Sequence, residues 1–283
     1  MNNFEFHHKS TQSNEYIKVI EKHKNELEEF KKYANYLTEK AGKATKNSQK
    51  ASSYMRSLVR LIIGYETLYV DNIDTLHSFD TYKKLMKITE IEGFKEFNKN
   101  TNHFYSATFG CFLSYLTYLN SENEEIVDHE LIKNNQDHEK NELIINEDIG
   151  SESIERKEKI LIQNTYLYPR NYKESLKAKK KSNWVCEFDK SHKTFINESD
   201  RKPHVEAHHL IPMAAQGLYE NSIDFSGNII SLCPTCHRRI HHSLNEDKKK
   251  MLKYFYNKRK NDYKKMNIFI KLNDLYKMYG ILK

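Results

Sequence analysis

Apolar residues recur three and four apart along the first part of the chain, set among Glu and Lys. Tyr16, Ile17, Ile20, Leu27, Phe30, Ala34 and Leu37 mark a helix starting at Asn14, because that spacing lines one face of a 3.6-residue turn. The polar segment 41–49 breaks the pattern. A second helix is predicted from about Ser52 to about Asp71, with Tyr54, Leu58, Leu61, Ile62, Tyr65, Leu68 and Tyr69 on one broad face. Asp80 stands where an N-cap belongs, ahead of a short helix carrying Leu85, Met86 and Ile88. Residues 104–119 are the most apolar, with Phe109, Phe112, Leu113, Leu116 and Leu119, and predict a helix central to a core. Residues 1–120 therefore read as one all-α domain, with a polar, mobile start that includes His7 and His8.

The periodicity then stops. Residues 121–159 hold 13 acidic and 5 basic residues, a net −8, and no aromatic residue. That composition predicts a hydrated linker, with transient helix around 139–145. Order returns with LIQNTYLYPRNY and a basic, helix-like run, KESLKAKKK. Residues 204–242, HVEAHHLIPMAAQGLYENSIDFSGNIISLCPTCHRRIHH, hold two of the four cysteines and six of the fourteen histidines. Short apolar runs bounded by Pro and Gly predict a strand at VEAHHLI and another at NIISL. Pro234 near a first turn, followed by cations, predicts a helix opening at CPTCHRRIHH. In residues 248–265, Leu252, Phe255 and Tyr256 can pack while lysines face water or phosphate.

Charge changes the picture next. The chain of 283 residues carries a formal +7. Residues 170–283 hold 24 basic and 12 acidic residues, a net +12. Such a concentration suits a polyanionic partner, although Lys enrichment from an AT-rich genome would look the same. Four cysteines are too few for a disulfide scaffold, and a reduced, cytoplasmic setting is expected. Cys111 lies in an apolar stretch and reads as a buried thiol. The start MNNFEFHHKS has no apolar leader core. No apolar run approaches the roughly 20 residues of a membrane span, so no membrane association is expected.

The residues 204–242 resemble the HNH endonuclease family, whose core is a ββα-metal finger. The first His of the name falls in the pair His208-His209, the Asn on Asn228, and the last His on His237, directly after the knuckle Cys233-x-x-Cys236. The resemblance spans about a hundred residues and is silent on the rest. Together with the periodicity and composition above, it gives an α+β chain: a mainly helical domain 1–120, for recognition or dimerisation, the acidic linker 121–159, and an HNH nuclease domain over 160–283.

In that family two Cys-x-x-Cys knuckles usually hold one structural Zn²⁺. Here Cys233 and Cys236 form the second knuckle, but Cys186 has no cysteine nearby. His192, six residues on, is the best replacement, giving Cys186, His192, Cys233 and Cys236. Asp189 as a ligand, or a degenerate site without metal, are the alternatives. A closed four-ligand site would be structural, because it leaves no position for substrate.

Phosphodiester hydrolysis needs an activated water, charge stabilisation at phosphorus and help for the departing oxygen. A histidine can take the proton at neutral pH, and a divalent cation can supply the rest. By resemblance His209 is the general base, and His208 and His237 ligate the catalytic cation. Mg²⁺ is expected by abundance, and imidazoles also suit Mn²⁺, Ni²⁺ or Zn²⁺. Asn228 is expected to bond loop backbone and so orient His209. Arg238, Arg239 and His241 are candidate phosphate contacts, with His241 also a possible third ligand. His204, His242 and Glu206 read as peripheral, although Glu206 could buttress a histidine. Any one of these histidines alone would read as packing or surface polarity. His208 and His209, as neighbours on a strand, alternate faces, so both reach one site only if the strand twists or ends there.

The resulting expectation is a metal-dependent DNA endonuclease of restriction or phage-defence type, leaving a 5′-phosphate and a 3′-hydroxyl. Duplex cutting by one finger per chain calls for a homodimer or two sequential nicks. A non-catalytic zinc-dependent DNA-binding or adaptor protein, and a homing or toxin nuclease, are the rivals.

Overall fold

The computed structural model describes residues 4–40, 49–121, 153–162, 165–198 and 200–282. The linker expected at 121–159, with its transient helix, lies mostly outside the described residues. The chain divides into two compact units, one of Met1–Leu119 with Lys277–Lys283 and one of Asn120–Tyr276. Helices dominate, with small two-stranded sheets, an α+β content. Among the described residues no helix is long and apolar enough to cross a membrane.

The first unit is helical: α1 (Asn14–Lys22), α2 (Lys24–Lys40), α3 (Lys50–Tyr69), α4 (Phe79–Met86), α5 (Phe94–Asn100) and α6 (Phe104–Ser121). The single helix expected from Asn14 is broken at His23, whose φ of −113° and ψ of 26° leave the helical region. The break lets the apolar rows of α1 and α2 face inward separately, with Tyr16 and Val19 buried from one, and Leu27, Phe30 and Ala34 from the other. The hydroxyl of Ser13 caps α1 by accepting from the Tyr16 amide. Val70, left-handed at φ 48°, stops α3. Ser78, not Asp80, caps α4, its side chain accepting from the Asp80 amide. Asp80 instead sits in the first turn, where its charge suits the helix dipole.

α6 is apolar on nearly every side, with Tyr105, Phe109, Phe112, Leu113, Tyr115 and Leu116 all buried. Its buried Thr108 and Thr117 hydroxyls donate back to the Phe104 and Leu113 carbonyls, so no polar group is stranded. Each fully buried large side chain contributes about 1.5–3 kcal/mol. The start of the chain is not the loose polar end expected. Phe6 is buried, Phe4 stacks on Phe97, and His7 bonds the Tyr105 hydroxyl. The aromatic pairs outweigh the local polarity. The last residues also join this unit, with Tyr279, Ile281 and Leu282 buried. Gly280 makes the approach at φ 73°, where a Cβ would lie 3.2 Å from Leu37 Cδ1.

The second unit opens with an antiparallel hairpin of β1 (Ile160–Ile162) and β2 (Thr165–Leu167), where the sequence predicted only a return to order. The basic run forms α7 (Tyr172–Lys181), capped by the Asn171 side chain. β3 (Glu206–His209) pairs antiparallel with β4 (Ile229–Leu232), setting His208 opposite Ile230 and His209 opposite Ile229. α8 (Pro234–His242), α9 (Asn245–Lys265) and α10 (Leu272–Met278) follow. β4 is buried throughout. Ile240 of α8 and the α9 row Met251, Leu252 and Phe255 are also fully buried.

Candidate metal centres and their surroundings

Among the described residues, two groups bring three or more metal-ligating side chains together, the donor atoms of each lying within 4.8 Å of one another. The first is Cys186, His192, Cys233 and Cys236. Cys233 is the N-cap of α8, and its sulfur accepts the Cys236 amide at 3.4 Å. The His192 Nδ1 lies 3.5 Å from the Cys233 sulfur and 3.4 Å from that of Cys236. Its other ring nitrogen is 3.5 Å from Asp189, so Asp189 backs the histidine instead of joining the cluster.

The electrostatics fit a cation. Burial opposes ionisation of Cys186, but the amides of Cys233, Asp189 and Phe188 and the His192 ring bring its pKa down to about 7. Burial, then the sulfurs of Cys186 and Cys233, holds the Cys236 thiol well above its ordinary value. Crowded thiolates need a positive partner, and three sulfurs with one imidazole nitrogen make a donor set that suits tetrahedral Zn²⁺.

The knuckle is tied to the rest of the unit by Glu187. Its carboxylate accepts twice from one guanidinium nitrogen of Arg259, at 2.9 and 2.6 Å, and from the Ser231 amide at 3.0 Å. Arg259 is 7% exposed, so this is a buried pair whose disruption would strand a charge. Nothing in the local sequence announces it, because the partners lie 72 residues apart.

The second group is His208 of β3 with His237 and His241 of α8. The one-turn spacing of His237 and His241 puts both on the helix face that meets β3. Ring centroids lie 4.8–5.2 Å apart, and His241 Nε2 is 3.3 Å from His208 Nδ1. His208 is 5% exposed. Its pKa lies well below the ordinary value, through burial first and then the nearby His241, His237, His209 and Arg170. Glu206, two residues before His208, bonds His237 Nδ1 at 2.7 Å, which fixes that ring. A set of imidazoles around one point is suited to a divalent transition ion.

His209 is directed to a different partner. Its Nε2 lies 2.8 Å from Asp224 Oδ1, and both side chains are buried. The other Asp224 oxygen accepts the Asn171 amide at the start of α7. Asn228 is fully buried and makes four bonds. Its Nδ2 donates to the carbonyls of Ile211, at 3.0 Å, and Ile223, at 2.8 Å. Its Oδ1 accepts the Ile211 amide at 2.8 Å and the Tyr263 hydroxyl at 2.9 Å. Asn228 thus ties the loop between the strands to β4, and the loop delivers Asp224 to His209.

The remaining candidates separate. Arg239 is held by Asp247 at 3.2 Å and lies over the Phe188 ring. Arg238 is exposed on α8. His204 stacks on Phe195 and bonds Asn197, and its Nε2 lies 3.7 Å from Glu206, outside both donor groups. Sequence reasoning passed over Asp224 and Arg170 entirely. In SIDFSG an Asp reads as an ordinary turn residue.

No family model matches the chain, and no solved structure matches it. A stretch of 65 residues is 37% identical to the type IV methyl-directed restriction enzyme EcoKMcrA of Escherichia coli strain K12. The match covers 23% of this chain and 21% of that enzyme. The similarity is local, and it joins a restriction enzyme to a chain that carries two candidate metal centres.

Proposed function

We propose that this protein is a metal-dependent DNA endonuclease of the HNH type, acting in restriction of foreign DNA. The observation that carries the reading is one arrangement: three imidazoles from β3 and α8 converge, and the next residue of β3, His209, is held by a buried carboxylate. The local similarity to a restriction enzyme and the net +12 of residues 170–283 support DNA as substrate.

His209 is the general base. Asp224 accepts a hydrogen bond from its Nε2–H, and the ring takes the proton of the attacking water. Asp224 keeps the ring from turning and stabilises the imidazolium that results. His208, His237 and His241 hold the catalytic cation, with Glu206 fixing His237. When bound, that cation supplies positive charge at the phosphate and the leaving oxygen. The all-nitrogen donor set favours Mn²⁺, Ni²⁺ or Zn²⁺ over the harder Mg²⁺ expected from abundance. Arg170 adds positive charge beside His208. Cys186, His192, Cys233 and Cys236 hold a structural Zn²⁺ that fixes the start of α8, and so His237 and His241. Cleavage of both strands by one such finger per chain is the work of a homodimer, or of two successive nicks.

The test is supercoiled plasmid, unmodified and methylated, incubated with the purified chain and Mn²⁺, Ni²⁺, Mg²⁺ or chelator. The reading expects nicked, then linear, product with 5′-phosphate ends, and none with chelator. Intact plasmid and intact phage DNA in every metal would contradict it.

A further inference from the structure

Helix α3 has two distinct faces. Leu58, Leu61, Ile62 and Tyr65 are buried in the helical core. Ser53, Arg56, Ser57 and Arg60, spaced three, four and seven apart, line another face. Together with His7, Asn100, Thr101, Asn102, Phe104 and Tyr105 they enclose a cleft of about 370 Å³ within the helical unit. Among the described residues no Asp or Glu lines it.

Among the described residues the two arginines lack the carboxylate partners that usually hold arginines in place. Arg56 donates to the Ser53 hydroxyl at 3.0 Å, and Arg60 donates through Nε to the Lys9 carbonyl at 3.3 Å. Among the described residues neither guanidinium meets a carboxylate. Two cations one turn apart repel each other, and the fold nonetheless gathers them in a concave place. The field is felt by His7, whose pKa is lowered by burial first and then by His8 and Arg60. Hydroxyl and amide groups fill the rim, and the Phe104 ring supplies an apolar wall.

Planar guanidinium forks match the oxygens of a phosphate, and hydroxyls and amides complete its shell. A cleft of this size accommodates a nucleotide, and an aromatic wall suits a sugar or base. We propose that this cleft is a phosphate-binding site, occupied by a phosphodiester of a DNA strand. The choice of DNA over a free nucleotide rests on the nuclease reading above. The anion site itself does not.

The test uses the full chain as His209→Ala, so that the DNA probe survives, with and without the pair Arg56→Gln and Arg60→Gln. The probes are a labelled 30-base-pair duplex over a range of salt, and dCMP by calorimetry. The pair should lower duplex affinity about tenfold or more, and reduce the slope of log K against log salt by about two. Loss of dCMP binding with duplex binding unchanged would uphold the site and assign it to a free nucleotide. Duplex and dCMP binding both unchanged, in a variant that melts with the parent, would overturn it.

Should the pair unfold the unit, Arg56→Gln alone gives up just the bond to Ser53 and carries the same test, with about half the change in slope. If the parent chain binds no DNA, the nuclease reading fails and the dCMP arm decides. Binding of dCMP that the variant loses upholds the cleft, and no binding of dCMP overturns it.

Discussion

Asp224 holds His209 through a 2.8 Å hydrogen bond between two buried side chains. Changing the acid to its amide keeps the size and removes the charge. Asp224→Asn can still accept one of the two bonds now made to His209 and Asn171, but its NH₂ then faces a donor. The ring loses its fixed tautomer. DNA cleavage should fall about 10²-fold or more, the scale on which a positioned base contributes. Stability should fall by about 1–3 kcal/mol. Plasmid cleavage rates and thermal melts check both. A variant as active as wild type would remove Asp224 from the mechanism.

The cluster of Cys186, His192, Cys233 and Cys236 predicts one tightly held zinc per chain. Cys236→Ser should purify with substantially less than one, and its second unit should melt at lower temperature. Metal analysis and calorimetry check this. His192→Ala tests the fourth ligand and should weaken zinc retention as well. Equal zinc in both variants and wild type would show that the cluster is not the site.

Glu206 orients His237 through the 2.7 Å bond to Nδ1 and stands outside the three-histidine donor group. Glu206→Gln should therefore raise the Mn²⁺ concentration for half-maximal cleavage by about 10–100-fold, the usual effect of removing such a support. The rate at saturating Mn²⁺ should change much less. A fall in the saturated rate with an unchanged Mn²⁺ requirement would place Glu206 elsewhere in the chemistry.

In the helical unit, Glu26 joins α2 to the segment before α4. Its carboxylate accepts from the Thr75 hydroxyl, from the Leu76 amide at 3.0 Å and from His23 at 2.8 Å. Burial opposes its ionisation, but these donors outweigh it and lower its pKa. A carboxyl whose folded pKa is depressed stabilises fully above the unfolded value, about 4.3, and loses that stability as pH falls through the folded one. The unit should therefore lose melting temperature below about pH 4.5. Glu26→Gln should cost about 1–3 kcal/mol at neutral pH and flatten that acid limb. Melts at pH 7, 4.5 and 3.5 compare the two.

Much of this was legible in the chain. The apolar rows of α2, α3 and α6 are long enough to predict helices. The two strands and α8 are marked by short apolar runs, Pro234 and the knuckle. His192 was reachable once the family resemblance called for a fourth ligand beside Cys186, Cys233 and Cys236, with Asp189 as the alternative. The hidden features are those made by distance in sequence. Asp224 meets His209 across a separation of 15 in sequence, and Glu187 meets Arg259 across 72. The break at His23 follows from where two helices pack, and periodicity continues through it. The N-terminal Phe4 and Phe6 look like part of a polar tail until Phe97 and Tyr105 are folded beside them. Asn228 was expected to bond loop backbone and so orient His209, and its side chain bonds Ile211 and Ile223 of the loop that carries Asp224.

The most direct test of the account compares wild type with His209→Ala on supercoiled plasmid, in Mn²⁺, at equal zinc content and melting temperature. The account predicts nicking and linearisation by wild type, and a loss of about 10²-fold or more in the variant. Equal cleavage by the two proteins would contradict His209 as the base. No cleavage by either, of unmodified or methylated plasmid or of phage DNA in any of the metals, would contradict the nuclease reading itself.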